Sequence, residues 1–195
     1  MLLREWNALR NRFGRILTLI LYSEAVGYVA IAALALLLVY AFGVRHLRFF
    51  MVPSSSMEPT LQVGDYVAVL AEKQYHRGDI VVVRSPYEGG YIIKRIAGVG
   101  GDIIEVRDGV LLLNGRYASE PYIPELMKYT LSPPIQVPAN ELFLLGDNRN
   151  HSFDSSVDLL TYPVGSVVGK ARFIYYPYSR WGYVHSYPLV NSLGQ

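Results

Sequence analysis

Between Ala25 and Val44 the chain reads AVGYVAIAALALLLVYAFGV, twenty residues without a charge. As a helix rising about 1.5 Å per residue, this run spans roughly 30 Å, the thickness of a bilayer's hydrocarbon core. A buried core helix and a cleavable export signal are the alternatives, but a cleavable apolar run is usually about 7–15 residues long and follows a short basic head. The length of the run and its start at position 25 predict a retained transmembrane helix over 25–44. Ahead of it Leu2, Trp6, Leu9, Phe13, Ile16 and Ile20 recur at spacings of three and four, with Arg4, Arg10, Arg12 and Arg15 between them. That pattern predicts a basic amphipathic segment over 1–24, lying on an anionic leaflet.

Beyond the span the period shortens to that of strands. YVAVL (66–70), DIVVVR (79–84), YIIKRIA (91–97), DIIEVR (102–107), GVLLLNG (109–115), ELFLLG (141–146) and VVGKARFIYY (167–176) are short β-rich runs set off by turn residues. Asp108-Gly109 reads as a tight hairpin turn and Asn114-Gly115 as a second turn closing the fifth run. The Pro-bearing stretch from Tyr117 to Pro138 is expected as a long loop or insertion. The fold expected is therefore mainly β, a transmembrane helix followed by one β-rich domain over 45–195.

Composition and charge narrow the class. Of 195 residues 51% are hydrophobic and 17% charged, which excludes a disordered, coiled-coil or collagen-like chain. Cysteine is absent, so there is no disulfide framework, thiolate zinc site or thiol nucleophile. The net charge of +2 divides unevenly: residues 1–48 hold six arginines against Glu5 and Glu24, and the remainder holds twelve Lys or Arg against fourteen Asp or Glu. A nucleic-acid surface on the main domain would need its own basic excess, so none is expected. Four arginines precede the span, and only Arg45 and Arg48 closely follow it. The positive-inside tendency then puts the N-terminus in the cytoplasm and the main domain outside it.

Three stretches carry candidate chemistry. PSSSMEPTL, Pro53 to Leu61, places three serines on a Pro-flanked segment just past the span, which composition alone would also allow as a linker turn. YIIKRIAG, Tyr91 to Gly98, holds Lys94. Of the other three lysines, Lys73 and Lys128 lie in polar or loop-like surroundings, and Lys170 shares a strand face with Arg172 and is expected to face solvent. Lys94 shares its strand face with Ile92 and Ile96, while Arg95 points the other way. Desolvation there disfavours the ammonium form. To serve as a base near neutrality its pKa must fall from about 10.4 to roughly 7–8, a cost of about 3–4 kcal/mol. A lysine whose head snorkels to water is the alternative. GDNRNHSFDSS, Gly146 to Ser156, is a dense hydrogen-bonding turn after an apolar strand.

The ordered set PSSSMEPTL, VGDYVAV, RGDIVVV, YIIKRIAGVGGD, GDNRNHSFDS and VVGKARFIYYP resembles the type I signal peptidases, membrane-anchored leader peptidases that cut signal peptides from exported proteins. The likeness runs from about Val52 to Pro177. It implies a signal-peptidase-like catalytic domain with Ser56 as nucleophile and Lys94 as general base. It further implies that Ser54 and the Ser56 amide form the oxyanion hole and that Ser152 orients the lysine. Asp147, Arg149, Asp154 and Arg95 would form a supporting polar shell. Val52, Met57, Leu61 and Ile93 would line a shallow apolar pocket for the residue before the cut. The substrate would lie extended along Ile92–Lys94 and Val52–Ser54, as an added strand. The resemblance calls for no metal or cofactor, and it implies a chain acting as a monomer on signal peptides of secretory preproteins at the lipid bilayer. The bacterial cytoplasmic membrane is the expected setting, with an organelle's inner or thylakoid membrane as the other.

Chain length supports the same layout, because Ser56 follows Val44 by twelve residues and so lies within roughly 40 Å of the bilayer edge even if fully extended. The aromatic tail (Tyr175, Tyr176, Tyr178, Trp181, Tyr183) suits either the headgroup layer or ordinary packing. Three positions depart from the family pattern. Ser156 stands where arginine is usual, Asn150 where aspartate is common, and Gly100 where proline is often found, and the first two leave the pairing of the polar shell open. Two rival readings remain: a Ser/His hydrolase using His151, which lacks a G-x-S-x-G elbow, and an inactive membrane-anchored β-module that binds exported chains.

Overall fold

A computed structural model describes residues 22, 24–40, 46–87 and 89–187, and the chain divides into two compact units, Met1–Arg45 and His46–Gln195. The expected amphipathic segment lies almost wholly outside the described residues, as do the last four residues of the expected span. Residues 24–40 form a helical run. Leu36, Leu37, Leu38 and Val39 are all exposed on it. Consecutive helical positions step by roughly 100°, so four of them sweep most of the circumference and the helix has no protected face. Among the described residues no helix is long and apolar enough to cross a membrane.

The second unit is mainly β. One sheet has the order β1 (Leu47–Met51), β2 (Tyr66–Leu70), β11 (Val167–Tyr176), β3 (Ile80–Arg84), β4 (Tyr91–Val99), β9 (Glu141–Leu145) and β10 (Tyr162–Pro163), with β12 (Gly182–Tyr183) also pairing to β11. Its neighbours are antiparallel throughout. The second sheet runs β7 (Arg116–Tyr117), β6 (Val110–Leu113), β5 (Ile103–Arg107), β8 (Leu131–Gln136). The rings of Phe50 on β1 and Tyr91 on β4 meet at 5.2 Å although β2, β11 and β3 lie between their strands. The large sheet therefore curls on itself, around a core that includes Val52, Met57, Leu61, Val67, Val82 and Ile93.

The outer face of β3, β4 and β9 buries Val81, Val83, Ile96 and Leu144. The small sheet packs Ile104, Val106, Leu111 and Leu113 against Ala97, Phe143 and Leu145. The two turns read from sequence have the backbone that hairpin turns of primed type need. Asp108, Gly109, Asn114 and Gly115 all have positive φ, the region that Asn, Asp and Gly reach at least cost.

Two expectations are corrected here, and one strand, β1, was not among the runs read from sequence. Tyr117–Pro138 is not a structureless insertion, since it contains β8, LSPPIQ, paired to β5. Its two prolines lack N–H donors, and they are tolerated because β8 is an edge strand with one neighbour. β1, LRFFM, has no two-residue alternation to betray it, because it presents apolar groups on both faces. Lys170 is buried and ion-paired to Asp79 rather than solvent-facing. β11 is a central strand flanked by β2 and β3, and a register shift after Ala171 takes Arg172 out of step with it.

Candidate active site

Ser56 lies in a single 3-10 turn, Ser55–Met57, just past the end of β1. Ser54 precedes the turn in extended conformation, and the two hydroxyl oxygens are 3.3 Å apart, within hydrogen-bond reach. The turn is docked on the segment that follows β9. The Asn148 amide N–H donates to the Ser56 carbonyl at 3.0 Å, and Asn148 Nδ2 donates to the Ser55 carbonyl at 3.2 Å. β9 pairs with β4 so that Leu145 faces Arg95, and its outgoing turn therefore emerges beside Lys94. There Lys94 Nζ donates to Ser152 Oγ at 2.9 Å. Lys94 is only 5% exposed, opposite Val81 in the β3–β4 ladder, and Ile92 and Ile96 pack with Val81 and Val83.

Gly146 makes this approach possible. A Cβ at that position would fall inside van der Waals contact of Ser152 Oγ and the Ser56 carbonyl oxygen, and 2.6 Å from Ser152 Cβ. The Ser56-bearing turn and the Ser152-bearing turn thus touch through a residue that has no side chain.

The arrangement opens into a cavity of about 300 Å³ lined by Ser54, Ser56, Lys94, Val52, Met57, Ile92 and Ile93, and also by Tyr91, His151 and Phe153. Leu61 is not on this wall. It is fully buried in the core behind Met57, whose carbonyl accepts the Leu61 N–H, and that turn carries its side chain inward. The ladder between β4 and β9 begins only at Arg95, so Tyr91–Lys94 keep one edge unpaired by any described strand.

The expected polar shell divides into three groups that meet through Gly146 and Tyr122. Arg95 and Asp147 form a buried bidentate pair at 2.8 and 2.7 Å, with Thr60 Oγ1 donating to Asp147 Oδ2 at 2.5 Å and Arg95 Nη1 donating to the Gly78 carbonyl at 2.7 Å. The Tyr122 ring covers this guanidinium at 3.9 Å. Arg149 instead pairs with Glu120, Nη1 to Oε2 at 2.8 Å, while its Nε donates to the Gly146 carbonyl at 3.0 Å. Burial alone would lower the Arg149 pKa, but the charge and hydrogen bonds of Glu120 reverse this and hold the guanidinium firmly charged. The same burial and the Glu120 charge push the Tyr122 phenol upward.

Asp154 pairs with neither arginine. It accepts the Gly146 N–H at 2.8 Å, and the Ser156 N–H and hydroxyl at 3.0 and 2.7 Å. Ser156 thus binds the Asp154 carboxylate through both its N–H and its hydroxyl. Asn150 Oδ1 accepts the Lys128 N–H, and its Nδ2 donates to Glu125 and to the Leu126 carbonyl, which ties the 125–128 loop to the site.

The family model for signal peptidase, peptidase S26, matches residues 25–176. The chain belongs to the S26 signal peptidase family. It is 37% identical over 171 residues to the "Probable signal peptidase I-1" of Synechocystis, covering 81% of this chain and 85% of that one. It is 31% identical over 169 residues to a signal peptidase I of Bacillus licheniformis, covering 80% and 89%. A crystal structure of a signal peptidase I from Enterococcus faecalis aligns with a TM-score of 0.46 at 30% identity, over 51% of this chain and 98% of that one.

Within this S26 site, Glu120, Asn148 and the role of Gly146 escape a reading of the sequence. Asn148 and Gly146 stand inside the GDNRNHSFDSS stretch, so their neighbourhood was visible. Glu120 stands in a stretch with neither strand nor helix period, and nothing local ties it to Arg149, twenty-nine residues on. Arg180 is a further case, since it clamps the 60–65 loop through Asp65 at 2.8–3.1 Å and the Thr60 carbonyl at 3.1 Å.

Proposed function

We propose that the chain is a membrane-bound serine endopeptidase that removes N-terminal signal peptides from exported preproteins, cutting after small-x-small residues by a Ser56/Lys94 dyad. The observation that carries this reading is the single cavity containing Ser54, Ser56 and Lys94, with Ser152 holding the Lys94 amine. Neutral Lys94 removes the Ser56 hydroxyl proton as Oγ bonds to the scissile carbonyl carbon. The resulting oxyanion is held by the Ser54 hydroxyl and the Ser56 N–H. Collapse breaks the C–N bond, the Lys94 ammonium protonates the departing amine, and an acyl ester remains on Ser56. Water, deprotonated by Lys94, hydrolyses that ester, releases the carboxylate product and restores the serine.

The substrate lies extended and adds to the unpaired edge of Ile92–Lys94 on one side and to Val52–Ser54 on the other. Val52, Met57 and Ile93 shape the wall that faces the residue before the cut. The layout is a cytoplasmic segment over 1–24, a single membrane span over 25–44 and an extracytoplasmic catalytic domain over 45–195, working as a monomer in a bacterial cytoplasmic membrane. The charge-free run and the all-round exposure of its described helix support the span, and the arginine excess ahead of it supports the orientation. The test is cleavage of a purified preprotein by the full chain in detergent. Ser56→Ala and Lys94→Ala should each abolish cleavage, and normal turnover by either variant overturns the dyad.

A further inference from the structure

Arg48 and Arg84 close the same end of the curled sheet. On β1 the inward positions include Phe50 and, just past the strand, Val52; on β3 they are Ile80 and Val82, and all four side chains pack in one core. Each stripe continues by one more two-residue step to an arginine, Arg48 before Phe50 and Arg84 after Val82. β1, β2, β11 and β3 are successively antiparallel, so the start of β1 and the end of β3 fall at the same end of the sheet. Both arginines line one cleft of about 480 Å³, together with Ser85, Tyr91, Ser166 and Val168.

Among the described residues the cleft holds no counter-charge. Arg77, Arg95, Arg149, Lys170 and Arg180 each meet a carboxylate, whereas Arg48 and Arg84 meet none among the described residues. Two guanidiniums lining one cleft, in a domain whose acidic residues outnumber its basic ones, suit a phosphate, whose several oxygens can accept from both at once. Three features say where that phosphate comes from. The cleft is at the end of the sheet by which the chain arrives from the apolar 24–40 helix, only eight residues before Arg48. The opposite face of β1 exposes Leu47, Phe49 and Met51. Tyr91 lines both this cleft and the catalytic cavity, so an occupant would sit just beyond the strand edge assigned to the signal peptide.

We propose that this cleft binds the phosphate of an anionic phospholipid headgroup. The proposal rests on the membrane placement given above, and it makes the headgroup layer a fixed reference for the height of the cavity. The alternative for inward-pointing charges at a sheet end is protection of an edge strand against pairing, which requires no ligand.

The test is calorimetric titration of the full chain in a neutral detergent with dihexanoyl phosphatidylglycerol kept below its own micelle concentration. Inorganic phosphate is titrated in parallel. Saturable phosphatidylglycerol binding is expected, weaker by about threefold in Arg48→Gln and Arg84→Gln and by about tenfold in the double variant. An unchanged thermal midpoint in each variant establishes that it is folded. Absence of saturable binding by the parent chain, or an unchanged affinity in the double variant, overturns the site. Equal affinity for inorganic phosphate with the same loss in the double variant overturns the lipid as its occupant. Because the readout is binding and not cleavage, failure of the protease reading would leave this result standing.

Discussion

Lys94 Nζ lies 2.9 Å from Ser152 Oγ, a contact between residues fifty-eight positions apart. Lys94 is on the ordered ladder of β4, and Ser152 is on the turn after β9, so the register of β4 against β9 fixes their separation. With Lys94 as the proposed base, Ser152 would act through it as a positioning residue. Replacing it with Ala should lower kcat by about one to two orders of magnitude with little change in KM, and Ser152→Thr should restore part of the rate. A KM effect alone would assign Ser152 to substrate binding.

The same chemistry sets a pH dependence. With Lys94 as the proposed base, its ammonium form has no lone pair with which to accept the Ser56 proton, so single-turnover cleavage should fall toward acid pH and level off toward alkaline pH. The parent chain and His151→Ala are compared, since His151 lines the same cavity. An unchanged profile in His151→Ala leaves lysine as the base, whereas loss of the limb together with activity would transfer that role to the imidazole.

Gly146→Ala should be far more damaging than a surface glycine replacement. The added methyl meets Ser152 Oγ and the Ser56 carbonyl, both held by backbone hydrogen bonds or packing, so the two turns must separate. Cleavage should drop by roughly 100-fold or more, beyond what the loss of stability explains. Gly165→Ala meets nothing within 4 Å and serves as the control.

Glu120 supports the site from outside it. Its carboxylate neutralises buried Arg149, which in turn holds the Gly146 carbonyl. Glu120→Ala leaves that guanidinium buried and unpaired and should destabilise the domain by about 3–5 kcal/mol in denaturant melts. The double variant Glu120→Leu/Arg149→Met removes both charges and should recover much of the loss. Additive losses would show that the pair is not coupled.

Acid stability should report Asp102. Burial raises the pKa of this carboxyl, but hydrogen bonds from Arg77, the Val99 N–H and Asn114, with the Arg77 charge, bring it below its ordinary value. A carboxylate with a lowered folded-state pKa contributes stability that is complete above its unfolded-state value and is lost as pH falls through the folded-state one. Asp102→Asn should therefore lower the thermal midpoint at neutral pH and flatten its decline below about pH 4. An equally steep decline in the variant would show that other carboxylates control acid unfolding.

What sequence alone determined here was set by local pattern. The strand run YVAVL matches β2, the turns at Asp108-Gly109 and Asn114-Gly115 depend on two adjacent residues each, and a charge-free run of twenty is visible without any partner. Local pattern also brought Lys94 forward through its strand face and marked the stretches around Ser56 and Ser152, whereas the roles of those two serines came from the family resemblance alone. Tertiary structure decided which charges pair. Arg149 meets Glu120 and not Asp154, Lys170 is drawn inward by Asp79, Leu61 turns away from the cavity, and β8 becomes a strand because β5 offers an edge. Strand and turn preferences act over a few residues, whereas an ion pair, a cavity wall or an edge strand depends on which distant segment the fold sets opposite.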